Sequence, residues 1–149
     1  MITVRKAVES DAPSIIDFQL KMARETEELE LDPETVNRGV YAVFQDPSRG
    51  QYYVADSSGK IIASLLITYE WSDWRNCYVW WFQSVFVMPE CRRQGIFRKM
   101  YDHIKQLAEE LDIAGLRLYV ETMNLRAQQT YESLGMSSEH YAFYEWMRK

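Results

Sequence analysis

The stretch Val85-Phe86-Val87-Met88-Pro89-Glu90-Cys91-Arg92-Arg93-Gln94-Gly95-Ile96-Phe97-Arg98-Lys99-Met100 constrains this chain more than any other. A hydrophobic run over residues 78–87 stops at Pro89, which cannot donate to a ladder and biases its predecessor toward extended backbone. A basic loop with one glycine follows. A helix then begins at once, with Ile96, Met100, Ile104, Leu107 and Leu111 as its apolar stripe. The same stretch has the physics of an anion site. The first turn of a helix carries four unpaired N–H groups and a partial positive charge. Gly95 permits close approach to the backbone, and Arg92, Arg93 and Arg98 add fixed charge. A diphosphate suits such a place. The pattern is neither a P-loop, since G-x-x-x-x-G-K-[ST] is absent, nor a dinucleotide fingerprint, since there is one glycine.

The rest of the chain supplies the elements around it. Residues 2–5 read as a strand. Asp11 and Pro13 start a helix, with Asp11 as its cap and Ile15, Ile16, Leu20, Met22 and Ala23 at helical spacing. A second helix covers 33–44, and residues 46–50 form a loop. Strands follow over 51–55, 61–69 and 78–87, the first two joined by a hairpin at 57–60. The helix over 94–111 precedes a strand over 116–120. A helix over 125–134 stops at Gly135. Alternation predicts a last strand over 141–147. The expected fold is mixed α/β: a mostly antiparallel, twisted sheet of six or seven strands flanked by four helices. Neither a repeat nor a linker interrupts it, so residues 1–149 read as a single domain.

Composition narrows the function. Lys and Arg number 17 against 22 Asp and Glu, a net charge of −5. A phosphate-tracking nucleic-acid binder carries the opposite sign. Cys77 and Cys91 form no C-x-x-C pair, and His103 and His140 are isolated, so no metal site is expected. The start lacks an apolar leader core, and no run approaches the roughly 20 apolar residues of a membrane span. These features point to a soluble cytoplasmic domain.

A second motif lies downstream: Asn124-Leu125-Arg126-Ala127-Gln128-Gln129-Thr130-Tyr131-Glu132-Ser133-Leu134-Gly135-Met136. It is similar to N-x-x-A-x-x-x-Y-x-x-x-G-[F/M] of the GNAT superfamily, the acetyl-coenzyme A-dependent N-acetyltransferases. Arg92-Arg93-Gln94-Gly95-Ile96-Phe97, after Val87-Met88-Pro89, resembles that family's [Q/R]-x-x-G-x-[G/A] after a V-x-P strand end. One helix and one strand separate the two motifs, as in the family.

The resemblance implies transfer of an acetyl group from acetyl-coenzyme A to an amine, without a metal. Backbone N–H groups of Arg92, Arg93, Gln94, Gly95, Ile96 and Phe97, with Arg98 beside them, cradle the pyrophosphate. Val85, Phe86 and Val87 hold the pantetheine arm as an added strand is held at a sheet edge. Asn124 contacts the coenzyme arm, and Tyr131 protonates the departing thiolate. Seven residues separate these two, close to two helical turns, so both project from one face. Phe97 departs from the family's Gly or Ala; its side chain must turn away from the pyrophosphate, or the loop must open.

The base is a second departure. Alternation from Val85 places Gln83 and Trp81 on its face, and neither accepts a proton usefully at pH 7. Glu25, Glu27 and Glu121 are the carboxylate candidates. Glu25 and Glu28, on one helical face, form with Glu27 an acidic rim that attracts a cationic amine; the alternative is a solvated helix face. Trp71, Trp74, Tyr78, Trp80, Trp81 and Phe82 pack the sheet or wall an amine pocket. The acceptor is a small molecule or a peptide, and a homodimer is compatible with the family. A non-catalytic acyl-coenzyme A-binding module is the rival reading.

Overall fold

The computed structural model describes residues 1–149. The chain forms two compact units, Met1–Arg117 and Leu118–Lys149. The first holds β1 (Ile2–Lys6), α1 (Ala12–Glu27), α2 (Pro33–Gln45), β2 (Gln51–Ser57), β3 (Lys60–Ser72), β4 (Cys77–Val87), α3 (Ile96–Glu110) and β5 (Gly115–Arg117). The second holds α4 (Leu125–Ser133). No helix is long and apolar enough to cross a membrane.

One sheet runs β1-β2-β3-β4-β5, antiparallel except for the parallel β4–β5 pair. Cross-strand partners share a face, so register assigns the layers. Leu66 and Ser64 pair with Tyr52 and Val54, and Ser64 also pairs with Phe86. This face meets α1 and α2: Phe18 lies against Phe86 with ring centroids 5.0 Å apart, and Phe44 against Tyr52 at 5.6 Å. Ile67 pairs with Phe82 on the opposite face, where Phe82 stacks on Tyr101 of α3 at 5.7 Å. Ala7, Ala12, Ile15, Val40, Tyr52 and Val54 form a buried cluster under α1 and α2. Gly50 is obligatory at the entry to β2: a Cβ there would come within 2.7 Å of the Ile67 carbonyl oxygen.

Three expectations need correction. The sheet has five strands, not six or seven, because residues 141–147 join no ladder. Alternation assigns faces, but only a partner makes a strand. In this segment Phe143 stacks on Tyr119 at 4.8 Å, while Tyr144 and Trp146 are 91% and 85% exposed. The strand expected over 116–120 ends at Arg117, where its pairing with β4 stops. Asp11 stands before α1 but does not cap it with its side chain. Its carboxylate accepts from the Val8 N–H at 2.8 Å and from both terminal nitrogens of Arg5 at 2.8 and 3.1 Å. Arg5 also reaches Asp56 at 3.2 Å, so one guanidinium joins β1, β2 and the entry to α1.

Candidate functional site

The site starts with a fault in β4. Ala63 pairs with Val87 and Ser64 with Phe86, yet Leu66 pairs with Gln83, so Ser84 and Val85 together oppose Leu65. Ser84 takes a left-handed backbone, φ 52°. This is a β-bulge, which bends the strand and leaves a backbone group outside the ladder. It also overturns the alternation reading. Gln83 and Trp81 share the α1 face with Phe86, while Val85 opposes Leu65 and lies with Phe82 on the α3 face. The β4–β5 pairing ends at Trp81, ahead of the bulge. From Phe82 to Val87 the β5 side of β4 therefore has no partner strand, and on it the Val87 carbonyl accepts from Arg92 Nε.

That edge leads into the basic loop. Pro89–Cys91 form a 3-10 turn, closed by Cys91 N–H to the Met88 carbonyl at 2.8 Å. Gln94 Nε2 donates to the Glu90 carbonyl at 3.2 Å. Arg93 and Gly95 both have left-handed backbones, φ 65° and 76°, which turn the chain sharply into α3. The helix starts at Ile96 rather than Gln94, and its first bond runs from Lys99 N–H to the Gly95 carbonyl at 3.0 Å. The N–H groups of Ile96 and Arg98 precede that bond and point out of the helix start. A Cβ on Gly95 would meet nothing within 4 Å, so the space over the loop is open. Phe97 turns toward the sheet, its ring 6.1 Å from Phe82 and 6.3 Å from Tyr101. The loop's residues thus fit a diphosphate: positive charge, an open approach over glycine, and the one bulky side chain pointing elsewhere.

Arg92 has a different use from the one its charge suggests. Its Nε donates to the Val87 carbonyl at 2.9 Å, and its terminal nitrogens form a bidentate ion pair with Glu25, one contact at 3.1 Å. The guanidinium carbon lies 5.4 Å from the centre of the Phe86 ring. Glu25 is therefore a partner of the loop, not a free carboxylate of an acidic rim. Glu28 does not share its helical face, because α1 ends at Glu27 and Glu28 has a left-handed backbone, φ 54°. Glu27 is exposed at the last position of α1.

Beyond the bulge, the α1 face of β4 carries Trp81 and Gln83. The Trp81 indole N–H donates to Glu70 Oε1 at 2.7 Å, and Gln83 Nε2 to the Thr68 hydroxyl at 2.8 Å. Arg117, paired with Trp81 across the β4–β5 ladder, donates from Nη1 to both Glu70 oxygens at 3.2 and 3.3 Å. Sequence reasoning missed Glu70 and Arg117. A charged residue within the long β3 run was the only visible trace, and register alone brings it to Trp81.

The second unit carries the other motif. Asn124 precedes α4 with non-helical backbone and caps it, Oδ1 accepting from Ala127 N–H at 3.2 Å. The two-turn relation between Asn124 and Tyr131 is thus that of a cap to its helix, not of two helical residues. Burial pushes the Tyr131 phenol above the usual tyrosine value of 10.0. Its carbonyl accepts from Leu134 and Met136 N–H, both at 3.1 Å. Glu121 is exposed and lies in a turn beyond the end of β5, not directly after the strand; its carbonyl accepts from Asn124 N–H at 2.9 Å.

Comparison with known proteins shows the family and the fold. The family model of the acetyltransferase (GNAT) family matches residues 17–136. A crystal structure of a possible acetyltransferase from Clostridium difficile 630 is 41% identical, with a TM-score of 0.93 over 100% of this chain and 99% of that one. A predicted acetyltransferase with acetyl-CoA from Clostridium acetobutylicum shares the fold at 18% identity and a TM-score of 0.75, over 97% and 96% of the two chains. Among curated proteins, a thialysine N-epsilon-acetyltransferase of Bos taurus is 35% identical over 72 residues, which is 47% of this chain and 41% of that protein's length. The chain belongs to the GNAT family of acetyltransferases.

Proposed function

We propose that residues 1–149 act as one N-acetyltransferase domain that moves an acetyl group from acetyl-coenzyme A to an amine of a small molecule or peptide by direct attack. The observation that carries this reading is the unpaired β4 edge from Phe82 to Val87, running straight into the open anion loop at Gly95. Apart from the Val87 carbonyl, which Arg92 holds, the edge offers its backbone groups to the amide-bearing pantetheine arm, with Val85, Phe86 and Val87 as its strand. Arg93, Gln94, Gly95, Ile96, Phe97 and Arg98 offer N–H groups and charge to the pyrophosphate. Arg92 contributes its backbone, while its side chain braces the strand end. Asn124 keeps its Nδ2 for the coenzyme arm while Oδ1 caps α4.

In the reaction the amine nitrogen forms a bond to the thioester carbonyl carbon, and the C–S bond breaks. A backbone N–H freed by the bulge at Ser84 and Val85 polarises the carbonyl. Tyr131 gives its phenolic proton to the leaving sulfur; burial keeps it protonated at neutral pH. Glu25 is engaged by Arg92, so Glu27 and Glu121 are the candidates to take the amine's proton, and separate Gln substitutions distinguish them. Holding amine and thioester together supplies roughly 7–11 kcal/mol of the barrier reduction. The name of the Bos taurus relative supports a cationic amine as acceptor, as does the Trp81 ring on the open face. The protein works in the cytoplasm, without nucleic acid or membrane, as a monomer or homodimer.

The test is release of free thiol from acetyl-coenzyme A across polyamines, amino acids and peptides. Turnover with an amine supports the reading. Tight coenzyme binding with no thiol release from any amine identifies the rival, a non-catalytic acyl-coenzyme A-binding module.

A further inference from the structure

We infer that the aromatic face of the β3–β4 hairpin is a self-association surface, covered by the same face of a second copy of this chain. All of its residues lie in the first unit, and none serves the acetyl transfer proposed above.

Register divides the aromatic residues of the hairpin between two faces. Trp71 pairs with Tyr78 and Tyr69 with Trp80, in step with Ile67 and Phe82, so these four rings stand on the α3 face. Trp81 stands on the other. α3 covers Phe82 through Tyr101 and ends at Glu110. Trp80 is buried, but Tyr69, Trp71 and Tyr78 remain 38%, 53% and 46% exposed. They form one patch: the Tyr78 ring lies 5.0 Å from Trp71 and 6.2 Å from Tyr69. Trp74, in the turn that joins the two strands, is 91% exposed.

A single exposed apolar side chain needs no explanation, but contiguous exposed aromatic rings do. A fully covered aromatic residue buries about 150–250 Å², so at these exposures the four offer roughly 350–570 Å² per copy. One side of a standard interface is about 800 Å², so the rings alone supply about half of it or more. The polar residues of the turn form the rim. Among them Asp73 and Arg75 are exposed and form no ion pair within the chain; Arg75 donates from Nη1 to the Ser72 hydroxyl at 3.4 Å. One acid and one base make a rim without net charge. Such a rim attracts neither an anionic lipid surface, which calls for clustered Lys and Arg, nor a strongly charged protein. A two-fold contact presents the same patch from both sides: rings meet rings, and each rim brings an acid and a base to pair across the axis. A contact of this size is weak, with dissociation in about the micromolar range.

Analytical ultracentrifugation of the full chain, from about 1 μM to about 1 mM, tests this. Wild-type protein should show a reversible monomer–dimer equilibrium. Trp74→Ser, at a position too exposed to matter for folding, should raise the dimer Kd at least about tenfold. Trp71→Ser should do the same, with Trp71→Phe keeping most of the affinity. A chain that stays monomeric throughout overturns the inference, and this arm requires no variant to fold. A dimer that Trp74→Ser and Trp71→Ser both leave unchanged places the contact elsewhere and overturns it as well. So does a monomer that binds phosphatidylcholine–phosphatidylserine vesicles and loses that binding in Trp74→Ser, since the patch then belongs to lipid. None of these readouts involves thiol release, so acetyl transfer stands or falls separately.

Discussion

Both terminal nitrogens of Arg92 grip the carboxylate of Glu25, tying the last turn of α1 to the loop that enters α3. The same guanidinium holds the Val87 carbonyl and faces the Phe86 ring, so three elements converge on one side chain.

In the proposed function this pairing puts Glu25 on the coenzyme side rather than the acceptor side. Removing its charge with Glu25→Gln leaves Arg92 positive beside the anion loop. The pair is partly exposed, so the effect is small. Coenzyme affinity at low salt should rise about two- to fivefold, and the gain should shrink at high salt. Calorimetry at two ionic strengths checks this. A raised acceptor KM with unchanged coenzyme binding would return Glu25 to the acidic rim. Arg92→Lys should not substitute for arginine, since one ammonium cannot serve a bidentate carboxylate, a carbonyl and a ring face together.

At Gly95 the left-handed backbone and the open space over it separate two causes. Gly95→Ala meets no atom and costs about 1 kcal/mol in backbone strain. Gly95→Asp tolerates that backbone better but places a negative charge where the pyrophosphate is proposed to lie. Both variants should fold, with the Ala melting point lower by a few degrees. Only Asp should abolish acetyl-coenzyme A binding. Unchanged binding by Gly95→Asp removes the loop from the coenzyme site.

The motif loop was legible because it is local: a proline stop, a basic turn and a helix start lie within a dozen residues. The start of α2 was legible for the same reason, marked by Pro33, whereas the start of α3 was read two residues early, at Gln94 instead of Ile96. The bulge at Ser84 was not, since serine carries no signature for a left-handed backbone, and a one-residue fault reverses every face assignment beyond it. That is why Val85 and Gln83 were placed together. Glu70 and Arg117 were hidden because 47 residues separate partners that only the sheet register joins. The strand over 141–147 failed from the opposite direction: its pattern is local, but a ladder partner is not.

Asp11 makes a stability prediction with a definite sign. It is 7% exposed, and its hydrogen bond from Arg5, followed by that from Val8 N–H, holds its carboxyl below the ordinary 3.8 against the opposing effect of burial. A depressed folded value means the contribution is present above the unfolded pKa and is lost as pH falls through the folded one. Wild-type stability should therefore fall below about pH 4, more steeply than that of Asp11→Asn. At pH 7 the Asn variant should lose about 2 kcal/mol, from charged hydrogen bonds made neutral or broken. Denaturant titrations at pH 3 and pH 7 measure both. A variant whose loss is the same at both pH values contradicts the titration argument.

Tyr131 supplies the most direct test of the chemistry. Phe keeps the ring and its packing and removes only the hydroxyl, so Tyr131→Phe isolates the proton. If the phenol protonates the leaving thiolate, kcat falls by roughly 10²–10⁴. Coenzyme Kd should move by less than about tenfold, or 1.4 kcal/mol. Burial raises the phenol above 10.0, so the wild-type rate loses its donor only as pH climbs past that value. The basic limb of the kcat profile should then lie above pH 10 in the wild type and disappear in the variant. Near-normal kcat in Tyr131→Phe assigns the side chain to packing. A variant that no longer binds acetyl-coenzyme A shows instead that the hydroxyl holds the site together, and the thiolate then takes its proton from water.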